Sequence, residues 1–121
     1  MTDPIKTFFE ALQIQDADAR YKKISSAVTK NATYEDPRTP SALNGLQAIS
    51  DYVGMFSANA PGWMAEVKKQ DEIGQVTRVT VAFSGPGADG TSQQQLGQYF
   101  IERHDGLLSR LVGFVGTGEQ E

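Results

Sequence analysis

The sequence contains no cysteine and a single histidine, His104. Without cysteine there can be no disulfide framework, no thiolate nucleophile and no thiolate metal ligand, and one histidine cannot supply a histidine-rich metal site. We therefore expect no bound metal ion and no other cofactor.

Positive charge is also scarce, with 11 Lys and Arg against 15 Asp and Glu, a formal net charge of −4. Such a chain has no basic surface to gather the phosphates of a nucleic acid or of an anionic membrane. No apolar run approaches the roughly 18 residues of a membrane span, and the N-terminal segment is too charged for a signal peptide. The sequence thus predicts a cytoplasmic protein with no nucleic-acid or membrane partner.

The length of 121 residues suits one hydrophobic core. We predict one domain over residues 1–116. Residues 117–121 offer nothing to bury and are predicted to form a flexible acidic tail.

Hydrophobic periodicity divides the chain into helices followed by strands. Asp3 and Asp16 can cap the first two helical stretches, and Asn44 can cap a third. After Gly62, apolar and polar residues alternate as in strands, and Asp105–Gly106 suits a tight hairpin turn. The order indicates an α+β fold in which three N-terminal helices pack on the concave face of a curved antiparallel sheet of four strands.

One part of the chain is similar to a known family. Asn31–Pro37, which reads NATYEDP, and Leu43–Ile49, followed by Tyr52, resemble ketosteroid isomerases and SnoaL-like polyketide cyclases of the nuclear transport factor 2-like superfamily. The resemblance implies a cone-like, cystatin-like α+β roll with a pocket for a small apolar molecule. It also implies that Asp36, immediately before a proline, stands where those isomerases have the general base that moves a proton between two carbons.

The same resemblance implies two donors that stabilise an enolate, a tyrosine on the first helix and a protonated acid on the third strand of the sheet. Here Phe8 or Phe9 stands at the first position and Phe100 at the second. A phenyl ring cannot donate a hydrogen bond, and loss of one such donor typically slows a reaction by about 10²–10³-fold. We therefore expect no steroid isomerase activity.

Further candidates for ligand contact are mostly aromatic, as in pockets for flat apolar molecules. They are Phe9, Tyr21, Tyr52, Phe56, Trp63, Phe83, Gln98, Phe100 and Phe114. We predict that Gln98 and Phe100 face the pocket, so by alternation Gly97, Tyr99 and Ile101 face the convex side. An exposed tyrosine and isoleucine there predict a homodimer through the convex sheet face.

Asp36 also has a purely structural interpretation, because Asp before Pro often starts a turn and accepts backbone N–H groups locally. Three functions therefore stay open. The chain is an isomerase or cyclase with Asp36 as base, a binding module with the same pocket but no chemistry, or a dimerisation domain whose hollow is filled by Phe9, Phe56 and Phe100. His104, beside a turn, is expected to be exposed.

Overall fold

The computed structural model describes residues 3–116. The helices are α1 (Pro4–Glu10), α2 (Ala17–Ser25) and α3 (Leu46–Asn59), and a 3₁₀ turn, Ala11–Gln13, follows α1. The strands are β1 (Val28–Glu35), β2 (Leu43–Asn44), β3 (Met64–Ile73), β4 (Val76–Pro86), β5 (Ser92–His104) and β6 (Leu107–Val115). The predicted tail, residues 117–121, lies outside the described residues.

The six strands form one curved, open sheet in the order β2-β1-β6-β5-β4-β3. Strands β3 to β6 form the predicted antiparallel meander, while β1 pairs in parallel with β6. The α+β class is thus confirmed, with two more strands than the four predicted and one parallel pair. Because β1 ends at Glu35, the next residue, Asp36, is anchored at a strand end in the sheet.

Local signals start two of the helices as predicted. Asp3 and Asp16 each accept a hydrogen bond from a backbone N–H of the following first turn. The predicted Asn44 cap is wrong, because α3 begins after Gly45, whose φ of 91° suits glycine, and Gln47 bonds forward along the helix. Within residues 3–116, no helix is long and apolar enough to cross a membrane.

The hydrophobic core lies between the helices and the concave face of the sheet. Phe8 of α1, Ile49 of α3 and Val79 of β4 are at most 1% exposed. Ile101 and Leu111 bring β5 and β6 into the same core. The core therefore contains residues from the whole length of the chain, from the first helix to the last strand.

The predicted facing of β5 is wrong. Tyr99 and Ile101 are buried, whereas Phe100 is 39% exposed. Tyr99 pairs with buried Val79 of β4, and directly paired residues lie on the same face of a sheet. Tyr99 therefore lies on the concave face, and Gln98 and Phe100 lie on the convex face.

Candidate functional site

A cavity of about 360 Å³ opens between α1, α3 and the concave face of the sheet. This volume falls in the range of roughly 300–1,000 Å³ that is typical of small-molecule sites. Most of its wall is apolar and aromatic, formed by Phe8, Phe9, Leu12, Tyr34, Tyr52, Val53, Phe56, Trp63, Phe83 and Tyr99. Phe9 and Phe56 line the hollow without filling it, and Phe100 lies outside it.

Asp36 is the one carboxylate in the cavity lining found among residues 3–116. Its Oδ2 atom accepts hydrogen bonds from the hydroxyl groups of Tyr34, at 2.8 Å, and Tyr52, at 2.7 Å. Its Oδ1 atom accepts from the backbone N–H groups of Arg38, at 2.8 Å, and Thr39, at 3.2 Å. The two interpretations of Asp36 thus apply to different oxygens, because Oδ1 builds a turn while Oδ2 belongs to the cavity.

The hydroxyl protons around Asp36 have a common direction. Tyr34 and Tyr99 lie 3.0 Å apart, oxygen to oxygen, and either could donate. The single proton of Tyr34 is better placed on the carboxylate, since hydrogen bonds to a charged acceptor are about twice as strong as neutral ones. Tyr99 therefore donates to Tyr34, and Tyr34 donates to Asp36. Tyr52 donates to Asp36 directly, so the chain of donors ends at the carboxylate.

The surroundings hold these three hydroxyl groups in their neutral form. Burial raises the pKa of Tyr34 well above its ordinary value of 10.0, and nearby Tyr99 and Asp36 raise it further. Burial also raises the pKa of Tyr52, and the hydrogen bond to Asp36 is the second-largest cause of the increase. For Tyr99, burial is again the largest cause and raises the pKa to about 12, although the hydrogen bond with Tyr34 and, to a smaller extent, the charge of Arg38 oppose the shift.

These shifts predict a loss of stability in alkaline solution. Below pH 10 both states keep the protons, but above it the unfolded chain releases them while the folded chain retains them. Each retained proton lowers the unfolding free energy by about 1.4 kcal/mol per pH unit, so buried Tyr34 and Tyr99 predict roughly 3 kcal/mol per unit between about pH 10 and 12. Half-buried Tyr52 adds less, because solvent screens its interactions. Urea unfolding at several pH values measures this slope. Tyr99→Phe should reduce it by one proton, and an unchanged slope would contradict the assignment.

Six of the residues predicted to contact a ligand line the cavity: Phe9, Tyr52, Phe56, Trp63, Phe83 and Phe114. The Phe114 side chain is nevertheless 55% exposed and packs edge-on against Phe100, with ring centres 5.7 Å apart.

The other three predicted residues lie elsewhere. Tyr21 is half-buried on α2, outside the lining. Gln98 lies on the convex face and donates to Thr80 at 3.4 Å. Phe100, two residues further along β5, lies on the same face. His104 is exposed, as expected, and contacts Asp105. Within the described part of the chain, no group of three or more His, Asp or Glu side chains could hold a metal ion.

Tyr34 and Tyr99 are residues of the candidate site that the sequence interpretation missed. Gly113 of β6 pairs with Tyr99, and a Cβ atom at Gly113 would lie 2.6 Å from the Tyr99 ring. The glycine therefore makes room for the ring. A signal was present in β5, where Phe100 shares its parity with Glu102 and His104, two polar residues typical of a solvent-facing side.

A shallower groove of about 660 Å³ lies beside the cavity. Tyr52, Phe56 and Trp63 border both spaces, so the two are adjacent. The Trp63 ring packs over Gly85, and its Nε1–H donates to the carbonyl of Pro86 at 3.1 Å. This contact connects the segment after α3 to the loop after β4 at the mouth of the cavity.

Several solved structures have a similar fold. A candidate isomerase of the SnoaL-like family from Agrobacterium tumefaciens is 22% identical, with a TM-score of 0.79 over 94% of this chain and 95% of that one. A candidate ketosteroid isomerase from Kribbella flavida is 23% identical, with a TM-score of 0.66 over 98% and 78%. A candidate polyketide cyclase from Sinorhizobium meliloti is 22% identical, with a TM-score of 0.70 over 93% and 94%.

No model of a protein family matches the sequence, and no curated protein matches it. The structural likeness confirms the predicted nuclear transport factor 2-like fold, shared with SnoaL-like and ketosteroid isomerase-like proteins. A fold of this kind serves several functions, so the role of each residue depends on the chemistry of the site itself.

Proposed function

We propose that the chain binds a small, mainly apolar carbonyl compound in the cavity and moves a proton on it, as an isomerase or a cyclase does. Asp36 is the group that takes the proton. The observation that carries the proposal is the position of Asp36, a carboxylate that lines an otherwise aromatic cavity and touches two hydroxyl groups there. A base must lie within contact of the proton that it removes, and the cavity provides that contact.

Hydroxyl donors support the chemistry, although the sequence predicted only phenyl rings in their place. Phe8 and Phe9 line the cavity as expected, but on β5 the inward residue is Tyr99 and not Phe100. Its hydroxyl contacts that of Tyr34, and Tyr34 and Tyr52 supply the O–H groups at Asp36. Removal of a proton next to a carbonyl group places negative charge on the carbonyl oxygen, and a preorganised donor stabilises that charge.

The relatives in structure are consistent with this class of reaction. They are described as a candidate isomerase, a candidate ketosteroid isomerase and a candidate polyketide cyclase. Removal of a proton from carbon next to a carbonyl can begin both an isomerisation and a cyclisation.

Exchange of carbon-bound hydrogen for deuterium tests the proposal without knowledge of the product. We choose 2-acetylnaphthalene, a flat apolar ketone with an enolisable methyl group, and follow the methyl signal by NMR in D₂O. The protein should accelerate exchange above buffer, with saturation in ketone. The matched hydrocarbon 2-ethylnaphthalene should inhibit competitively, because it fills the same cavity. Exchange no faster than in buffer would contradict the proposed reaction.

One observation favours binding without chemistry. A carboxylate has about four acceptor positions, and Asp36 already accepts four hydrogen bonds. If this arrangement never opens, the cavity only binds its ligand. The same assay distinguishes the two functions, since a binding module would bind the ketone without exchanging its protons.

We also propose that two copies associate through the convex sheet face. Phe100 and Phe114 form an exposed aromatic pair there, 39% and 55% exposed. Exposed apolar patches of this kind mark association surfaces more often than single apolar residues do. Tyr99 and Ile101, which suggested this dimer from the sequence, do not contribute because both are buried on the other face.

A charged double variant tests the dimer. The native chain of 13.2 kDa should sediment at twice that mass, and Phe100→Lys with Phe114→Lys should shift it to the monomer mass. Ile73→Lys is the matched control, because Ile73 is 85% exposed and lies at the β3–β4 turn. A native protein that sediments as a monomer at micromolar concentration would contradict the proposal.

A further inference from the structure

The base of the proposed reaction is covered in the structure. Both lone-pair positions of Oδ2 on Asp36 accept phenolic protons, and Oδ1 accepts two backbone N–H groups. A carbon-bound proton can reach the carboxylate only after one of these donors leaves. Which donor leaves determines where the substrate oxygen can lie.

Three of the four donors are fixed. The N–H groups of Arg38 and Thr39 belong to the turn that Asp36 starts, and Thr39 adds its hydroxyl contacts to the same turn. Tyr34 is 4% exposed, lies beside Phe8 and accepts a hydrogen bond from Tyr99. Movement of any of them would disturb the turn or the core.

Tyr52 is the donor that can move. It lies on α3, it is only half-buried, and it borders both the cavity and the outer groove. Its side chain therefore has space on two sides. Its one hydrogen bond to the rest of the network is the bond to Asp36 Oδ2.

We propose that Tyr52 is a catalytic residue, whose hydroxyl leaves Asp36 when a ketone binds and donates instead to the carbonyl oxygen of the ketone. This inference rests on the proposed function and names the residue that makes it work. One movement then has two effects, since it uncovers a lone pair on Oδ2 and supplies a donor to the oxygen that will carry the charge.

The proton and electron balance explains why the hydroxyl moves with the reaction. The carbon–hydrogen bond next to the carbonyl breaks, the proton bonds to Oδ2 of Asp36, and the electron pair passes through a new C=C bond to the carbonyl oxygen. Asp36 becomes neutral and the oxygen becomes an enolate. A phenol donates more strongly to the charged partner, so the hydrogen bond of Tyr52 gains strength as charge arrives on the substrate. Return of the proton to another carbon completes an isomerisation.

Tyr34 and Tyr99 keep their positions during this step. Tyr34 stays on Oδ2 and Tyr99 stays on Tyr34, so the carboxylate remains oriented while Tyr52 is absent. They are positioning residues in this scheme.

Infrared spectroscopy of bound ketone tests the contact without any need for turnover. Carbonyl-labelled ¹³C 2-acetylnaphthalene is bound to the native protein, to Tyr52→Phe and to Tyr21→Phe. A hydrogen bond from Tyr52 lowers the C=O stretching frequency, so the native protein and Tyr21→Phe should share a low value and Tyr52→Phe should show a higher one. Tyr21 is the matched control because it lies outside the cavity lining. Equal frequencies in all three proteins would overturn the inference.

The rate of deuterium exchange gives a second test, because a catalytic Tyr52 and a Tyr52 that only covers Asp36 predict changes of opposite sign in the kcat of Tyr52→Phe. Loss of the donor should lower kcat in Tyr52→Phe by about 10²-fold. The KM should stay the same or fall, since ketone binding to the native protein exchanges the charge-assisted bond of Tyr52 for a weaker neutral one, and the variant does not bear that cost. A tyrosine that merely covers Asp36 would give the reverse, because its removal would expose the base and raise kcat, and that result would overturn the inference while the proposed function stood. A native protein without exchange would overturn both.

Discussion

Asp36→Asn is expected to slow the exchange of ketone protons by about 10²–10⁴-fold, the usual contribution of a general base. The amide has nearly the shape of the carboxylate but cannot take up the proton. Its oxygen can keep the two backbone bonds of the turn, which places the NH₂ group toward Tyr34 and Tyr52. Phenolic oxygens can accept from this group, so the fold should survive and the lost rate can be attributed to the base.

The control is Asp51→Asn, a carboxylate next to Tyr52 in sequence but exposed and bonded to Gln47 on the outer side of α3. Its exchange rate should equal that of the native protein. Urea unfolding of both variants checks that each is folded at the assay temperature. Native exchange rates in folded Asp36→Asn would remove Asp36 from the mechanism and leave the cavity as a binding site.

The parts of the fold that depend on local chemistry could be predicted from the sequence. Asp3 and Asp16 cap their helices because a short acceptor next to free N–H groups is a local interaction. Asp105–Gly106 forms the expected tight turn, with φ values of 52° and 81°. Asp36 could be singled out because the residues around it resemble a family motif.

The parts that depend on long-range pairing could not. Tyr34 and Tyr99 are 65 positions apart in sequence, and their contact follows from the pairing of β1 with β6 and of β6 with β5. Alternation gives two possible faces for β5, and a one-residue error exchanges them completely. For this reason the sequence interpretation placed Phe100 in the pocket and did not predict the hydroxyl of Tyr99 there.

Arg20 shows that the same limit applies to the helices, and its replacement is the substitution with the largest expected effect on stability. Its spacing on α2 predicts a side chain off the apolar stripe, yet it is 8% exposed. Its guanidinium donates to the carbonyl groups of Ser50, Ile14 and Gln15, at 3.1, 3.2 and 3.3 Å. Hydrogen bonds to charged groups typically contribute about 1.5–3 kcal/mol each, and carbonyls left unsatisfied add a penalty.

Arg20→Met, which keeps the aliphatic stem, should therefore lower the unfolding free energy by about 3 kcal/mol. Urea unfolding measures the change, with m unaltered if only stability is affected. Lys22→Met is the matched control because Lys22 is exposed on the same helix, and it should stay within about 0.5 kcal/mol of the native value. A loss in Arg20→Met no larger than in the control would show that the carbonyl contacts contribute nothing net.

Gly54→Ala tests the position of Arg20, because the sign of its effect on stability should depend on whether Arg20 is present. Alanine in the interior of a helix is usually more stable than glycine by about 1 kcal/mol. In α3, however, a Cβ atom on Gly54 would lie 2.5 Å from Nη2 of Arg20, and Arg20 cannot retreat without loss of its carbonyl bonds. Overpacking of this kind costs about 1–3 kcal/mol, so Gly54→Ala should destabilise the native protein. In the Arg20→Met background the obstacle is gone, and the same substitution should stabilise. Unfolding of the four proteins of this cycle measures both signs, and a stabilising Gly54→Ala in the native background would mean that Arg20 is not held where the structure places it.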